Sequence, residues 1–245
     1  MKPKNKSKIM TPETQTPASP TVDPLAAKKD RIVQIVDVFE TGKPQGDYGQ
    51  VSIYPDGPGN VRQITYGRSQ TTEYGNLPTL LSNYANAEGE FSDKIAAKLP
   101  LMRTGELVTD KDFLQVLKDA GIDPVMVKCQ DDFFDSIYWT PALTWAKVQK
   151  FTLPLSMLVI YDSFVHSGHI LVQIRRVFPE LPPANGGDEK TWIEEYVMAR
   201  QRFLQNSRLE ALQKTVYRTR CFLEQIDHDN WNLDQPVNAN GVQVG

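Results

Sequence analysis

The stretch LPLSMLVIYDSFV, residues 153–165, is apolar around nearly the whole of a helical wheel. A helix without a polar face has nowhere to meet water, so it must be covered on all sides. It is also too short to cross a bilayer, which takes about 20 apolar residues, and no other stretch comes nearer to that length. The segment therefore predicts a buried central helix, with the rest of the chain arranged around it.

The remainder supplies that cover. At 245 residues the chain fits one large domain or two lobes sharing a cleft, with a sizeable core. Helical spacing recurs in DRIVQIVDVFE, where Asp30 can cap the start, in NLPTLLSNYAN, and in TDKDFLQVLKDAG between Asp110 and Gly121. It continues through PALTWAKVQKF, HILVQIRRVF, GGDEKTWIEEYVMARQRFLQN and LEALQKTVYRTRCFLEQI, after which the tail has no apolar periodicity. Between Gly46 and Arg68 the period changes. QVSIY and VRQITYG alternate around the turn cluster PDGPGN, which predicts a small β-hairpin region.

The expected class is α+β and predominantly α-helical, with two lobes, a small sheet after the first helix, and a cleft between the lobes. Residues 1–28, rich in Lys, Thr, Pro and Ser, are expected to be a disordered tail, with the folded domain spanning 29–245. The tail begins with basic residues but has no apolar stretch behind them, so no signal peptide is visible. Action outside the cytoplasm, in the periplasm or beyond, would need another export route.

A net charge of −3 gives no general attraction to nucleic acid or to an anionic membrane, so neither is expected as a partner. The two cysteines, Cys129 and Cys221, are too few for a disulfide-stapled scaffold and are expected to be reduced.

The residues with chemistry to offer gather in FETGKPQGDYGQVSIYPDG, which holds Glu40, Asp47 and Asp56. Glu40 closes the first helix. There the negative end of the helix dipole, together with apolar neighbours such as Phe39, favours a neutral carboxyl, the form a general acid needs. The plain structural reading is a solvated helix-end glutamate before a Gly42 cap. Asp56 lies in Pro-Asp-Gly, common turn chemistry, or it is a base that activates water across the cleft. Asp47 in GDYG competes for that role. Thr65 and Ser69 offer hydroxyls that could orient a water.

Taken in order, several motifs resemble the chitosanases of glycoside hydrolase family 46, within the lysozyme-like superfamily. They are FETG, an Asp-Gly turn and ITYG; the Tyr-Asp helix IYDSFVHSG; GGDEKTWIEEYVMAR; and FLEQIDHDNWNLDQPV, together spanning about 30–237. The resemblance implies that Glu40 is the general acid, Asp56 the general base and Thr65 the water-positioning hydroxyl, in a single displacement with inversion. It also implies that Asp162 and Arg200 form an ion network behind the acid. Such second-layer partners hold a functional group in its working geometry.

There are departures from the family pattern. The turn DGPGNVRQITYG is longer, setting Asp56 and Thr65 nine positions apart, which keeps Asp47 as the reserve base. The family's substrate-binding carboxylate aligns with Asn76 or, by a shift, with Glu73. These two and Arg68 are the candidate substrate-binding residues.

Other candidates have plainer explanations. His166 and His169 are three apart but have no third ligand nearby, so no metal is expected. GGDE reads as a loop ending in the N-cap Asp188. Trp139, Trp145, Trp192 and Trp231 could stack on sugars but at helical spacing read as core. The expected protein is a cofactor-free monomer that cleaves β-1,4 bonds inside an amino-sugar polymer, chitosan. Peptidoglycan cleavage, by a muramidase-like lysin or toxin, and glycan binding without cleavage are the alternatives.

Overall fold

The structure, a computed structural model, describes residues 23–68 and 70–245. The expected tail, 1–28, lies outside the described residues up to position 22, as does Ser69. Its last residues belong to the fold. Pro24–Ala27 is one turn of helix capped by Asp23, whose Oδ1 accepts from the Leu25 amide at 3.0 Å. Leu25 is buried, so a single leucine in a polar stretch is enough to dock this segment.

The apolar segment forms the helix Pro154–Ser167, and every residue from Pro154 to Phe164 is buried. Helices Lys29–Thr41, Thr140–Val148, Glu189–Gln205 and Val216–Asp227 surround it. They share a core built on Ile35, Phe39, Trp139, Trp192, Tyr196 and Phe222. Trp192, Trp139 and Trp231 all lie in this core, and Trp145 stacks on Phe151 at its border. Large aromatic area with edge-to-face partners stabilises such a centre.

A second core joins the sheet to helices Leu77–Asn86, Lys111–Ala120 and Pro124–Phe134, through Ile64, Tyr66, Leu80, Tyr84, Phe113 and Met126. Two cores make two lobes. The chain crosses between them along Pro124–Phe134, a π-helical turn at Asp135–Trp139, and Thr140–Val148. Pro141 cannot donate to the carbonyl four residues back, and its ring crowds that turn, so the ladder opens there. Tyr138, in the wide turn, packs against both cores.

The sheet is antiparallel, in the order β1 (Val51–Tyr54), β2 (Gln63–Tyr66), β3 (Thr71–Thr72). Its register sets Ser52 opposite Thr65, Thr65 opposite Thr72, and Tyr54 opposite Gln63. Successive strand residues point to opposite faces. Ile53, Ile64 and Tyr66 therefore face the second core, and Ser52, Tyr54, Gln63, Thr65 and Thr72 form the opposite, polar face.

Three expectations change. The helix expected in HILVQIRRVF shortens to Val172–Arg175, because Arg175 donates to the carbonyls of Phe178 and Glu180 and turns the chain ahead of Pro179. The last expected helix breaks into Glu210–Gln213 and Val216–Asp227. Between them the Thr215 hydroxyl donates to the Leu212 carbonyl at 2.7 Å, a local bond that competes with the helical ladder. The tail is not featureless. Val237–Ala239 and Val242–Val244 pair through Asn240–Gly241, both at positive φ (49° and 92°), the mirror-image turn that closes hairpins.

Candidate active site

Glu40 lies one residue before the end of helix Lys29–Thr41, which Gly42 terminates at φ 75°. Phe39 turns into the core, leaving Glu40 at the rim with its side chain 19% exposed. The apolar surroundings expected for it are replaced by a guanidinium. Glu40 Oε1 accepts from Arg218 Nη2 at 2.5 Å, and Oε2 has no protein partner among the described residues.

Behind this contact stands a fully enclosed ion cluster. Asp162, 0% exposed, accepts from Arg218 Nη1 at 2.7 Å and from Arg200 Nη1 at 2.6 Å. Burial alone would push its carboxyl up, but the two guanidiniums prevail and hold it below the ordinary carboxylate range. Asp162 and Arg200 thus connect to Glu40 only through Arg218, which sequence reasoning overlooked. A signal existed. Arg218 shares the buried stripe of its helix with Phe222 and Gln225, a core-facing position where a charge demands a partner.

His166 completes the cluster, its Nδ1 lying 3.3 Å from Arg200 Nη2. Burial, reinforced by Arg218 and Arg200 and only partly countered by Asp162, lowers its pKa to about 4. It is neutral at physiological pH.

A cavity of about 370 Å³ opens beside Glu40 between the lobes. Glu40, Tyr138, Val165 and His166 line it from one side, and Gln70, Thr71, Thr72, Gly75 and Asn76 from the other. Asn76 therefore lies on the wall facing Glu40. Gln70, Thr71, Thr72, Tyr138 and His166 were not anticipated there, because only the folded register carries β3 and the π-helical turn to Glu40.

The polar face of the sheet runs on from this cavity. Thr72 lines it, Thr65 is the neighbour of Thr72, and Gln63 follows two residues along β2 on the same face. Gln63 Nε2 donates to Asp56 Oδ1 at 2.9 Å, fixing the exposed Asp56 at the far end of that face. Thr65 Oγ1, between the two carboxylates along this face, is buried and has no hydrogen-bond partner among the described residues.

The structure separates the remaining candidates from this line. Asp47 pairs with Lys43 at 2.7 Å on the loop after the first helix. Glu73, a candidate for substrate binding, is 1% exposed, and both its oxygens accept backbone amides: Oε2 from Ile64 at 3.1 Å and Oε1 from Arg103 at 2.7 Å. It pins a loop and has no free oxygen for substrate.

Arg68 is buried and reaches Asp37, at 3.2 Å, and Asp131. It lines a separate cavity of about 390 Å³ with Tyr48 and Lys29. Because Asp37 is on the first helix and Arg68 on the β2–β3 turn, the pair ties the lobes together. Burial, only partly offset by Arg68, raises the Asp37 pKa to about 7. Among the described residues no group of three or more His, Cys, Asp or Glu side chains could hold a metal, and both cysteines are free.

Comparison with known proteins adds to this geometry. The family model for glycosyl hydrolase family 46 matches residues 34–237. A chitosanase of Bacillus subtilis (strain 168) is 24% identical over 237 residues, covering 89% of this chain and 83% of that protein. The crystal structure of a mutant chitosanase from Bacillus subtilis MY002, complexed with 6 GlcN, superposes with a TM-score of 0.76 at 22% identity, over 92% of this chain and 99% of that one. A chitosanase of Gynuella sunshinyii in complex with chitotetraose gives a TM-score of 0.73 at 21% identity, over 89% and 96% of the two chains. The two-lobed lysozyme-like fold, the cleft and the extent of the family match agree: this chain is a glycoside hydrolase and belongs to glycosyl hydrolase family 46.

Proposed function

We propose that the protein is an endo-acting hydrolase that cleaves the β-1,4 bonds of chitosan with inversion. Glu40 protonates the leaving oxygen, and Asp56 takes a proton from the attacking water. Inverting enzymes place two carboxyls on opposite sides of the scissile bond, far enough apart to admit that water. The observation that carries this reading is the buried, unpartnered Thr65 hydroxyl on the polar face that leads from the Glu40 cavity to Asp56. A hydroxyl with no partner among the described residues is available to orient a water between acid and base. The chitosanases matched above, with chains of nearly the same extent, support chitosan as the polymer. An open cleft between the lobes admits a chain at internal bonds, which supports endo cleavage.

Two aspartates compete for the base, and substitution separates them. Asp56→Asn is expected to lower kcat on chitosan by about 10²–10⁴-fold, the usual contribution of general base catalysis. Asp47→Asn should leave kcat within about threefold, because it removes one half-exposed ion pair of little energetic weight. Reducing-end release by the two variants measures this, and the reverse order would transfer the role to Asp47.

A further inference from the structure

We propose that the cavity beside Glu40 is a subsite for an N-acylated amino sugar, and that Asn76 sets its preference over the free ammonium sugar. The inference rests on the glycoside hydrolase reading of Glu40 and specifies which unit of the polymer is held there.

Charge is the first argument. A protonated glucosamine needs a carboxylate when it leaves water, since an unpaired buried ammonium is costly. Among the described residues Glu40 is the only carboxylate lining this cavity, and Arg218 already occupies one of its oxygens. Glu40 and Asp162 are matched one for one by Arg218 and Arg200, so the cluster has no negative charge to spare. His166, held neutral, adds none.

The opposite wall points the same way. Gly75 and Asn76 line the cavity at the N-terminus of the ten-residue helix Leu77–Asn86. That end carries the positive pole of the helix dipole, which disfavours a cation beside it. No acidic residue occupies the first turn to offset it.

What the wall does offer matches an acylamino group. Asn76 brings an amide donor and an acceptor, as a C=O and an N–H require, and Gln70, whose Nε2 donates to the Gly67 carbonyl at 3.0 Å, brings its amide oxygen as a second acceptor. Tyr138 and Val165, across the cavity, give its methyl an apolar surface. The volume of about 370 Å³ falls within the range of small-ligand sites. N-acylated amino sugars occur both in partly acetylated chitosan and in peptidoglycan, and the cavity chemistry is common to the two.

The test uses full-length protein in two measurements. In the first, calorimetric titration of Asp56→Asn, which is expected to slow cleavage and leaves Glu40 in the cavity, compares tetramers of N-acetylglucosamine and of glucosamine. The acetylated tetramer is expected to bind at least about tenfold tighter. Adding Asn76→Asp should shift that ratio by about tenfold or more towards glucosamine, the worth of one charge-assisted hydrogen bond. Equal affinities, or a ratio unmoved by Asn76→Asp, would overturn the proposal.

In the second, wild-type cleavage of partly acetylated chitosan, fully deacetylated chitosan and purified peptidoglycan identifies the source. Mass spectrometry of the new chain ends should find acetylated units enriched beside the cut. Peptidoglycan cleaved faster than acetylated chitosan would support the same subsite with cell wall as its source. Faster cleavage of fully deacetylated chitosan would overturn the proposal. Preferential binding of the acetylated tetramer without cleavage of any polymer would uphold the subsite while refuting the hydrolase reading.

Discussion

Glu40→Gln is expected to lower kcat on chitosan by about 10²–10⁴-fold, the range for loss of a general acid. Its stability should change little, and that contrast is what makes the variant informative. A glutamine oxygen can still accept from Arg218 at the position Oε1 holds now, while the proton for the leaving oxygen is lost. Scanning calorimetry should place the Tm within a few degrees of wild type. Functional carboxylates are often kept at some cost to stability, so a modest rise fits as well. Retained activity in a folded variant would place the acid elsewhere.

The largest stability effect is expected from Asp162→Asn. It leaves Arg200 and Arg218, 1% and 3% exposed at the side chain, without the buried charge that both share. Breaking a buried ion pair by removing one partner costs about 3–5 kcal/mol. At about 2–4 °C per kcal/mol for a chain of this size, the Tm should fall by roughly 6–20 °C. The sign with pH follows from the lowered Asp162 carboxyl. Its contribution is complete above the unfolded carboxylate range, about 3.9, and disappears as pH falls through the lower folded value. The Tm gap between wild type and variant should therefore be full at neutral pH and close on acidification below about pH 4. A gap that is absent at pH 7, or that widens in acid, would show that the cluster does not stabilise the fold in this way.

The fold was legible wherever periodicity or chain punctuation was strong. The all-apolar run could only be the covered helix, and alternation around PDGPGN could only be a hairpin beside it. The terminal hairpin went unread, although Asn240-Gly241 is a strong turn signal. Its strands of three residues each are too short for alternation to register. The site was legible one residue at a time but not as an assembly. Glu73 and Glu40 are both glutamates near the sheet. What separates them is that the amides of Ile64 and Arg103 converge on Glu73, and no local pattern encodes a contact between segments so far apart. Arg68 was likewise indistinguishable from a substrate contact until its partners Asp37 and Asp131 were in view. Arg218 is the instructive omission, because a charged residue on a core-facing helical stripe signals a buried partner even where the partner is unidentified.

The division of labour between Glu40 and Asp56 is tested most directly by the configuration of the first product. Proton NMR of chitosan digestion, recorded before mutarotation, resolves the two anomers at the new reducing end. Single displacement at a β-linkage with Asp56 activating water produces the α-anomer first. Initial appearance of the β-anomer would contradict the account, because it requires a covalent intermediate and a nucleophile where the account places a base.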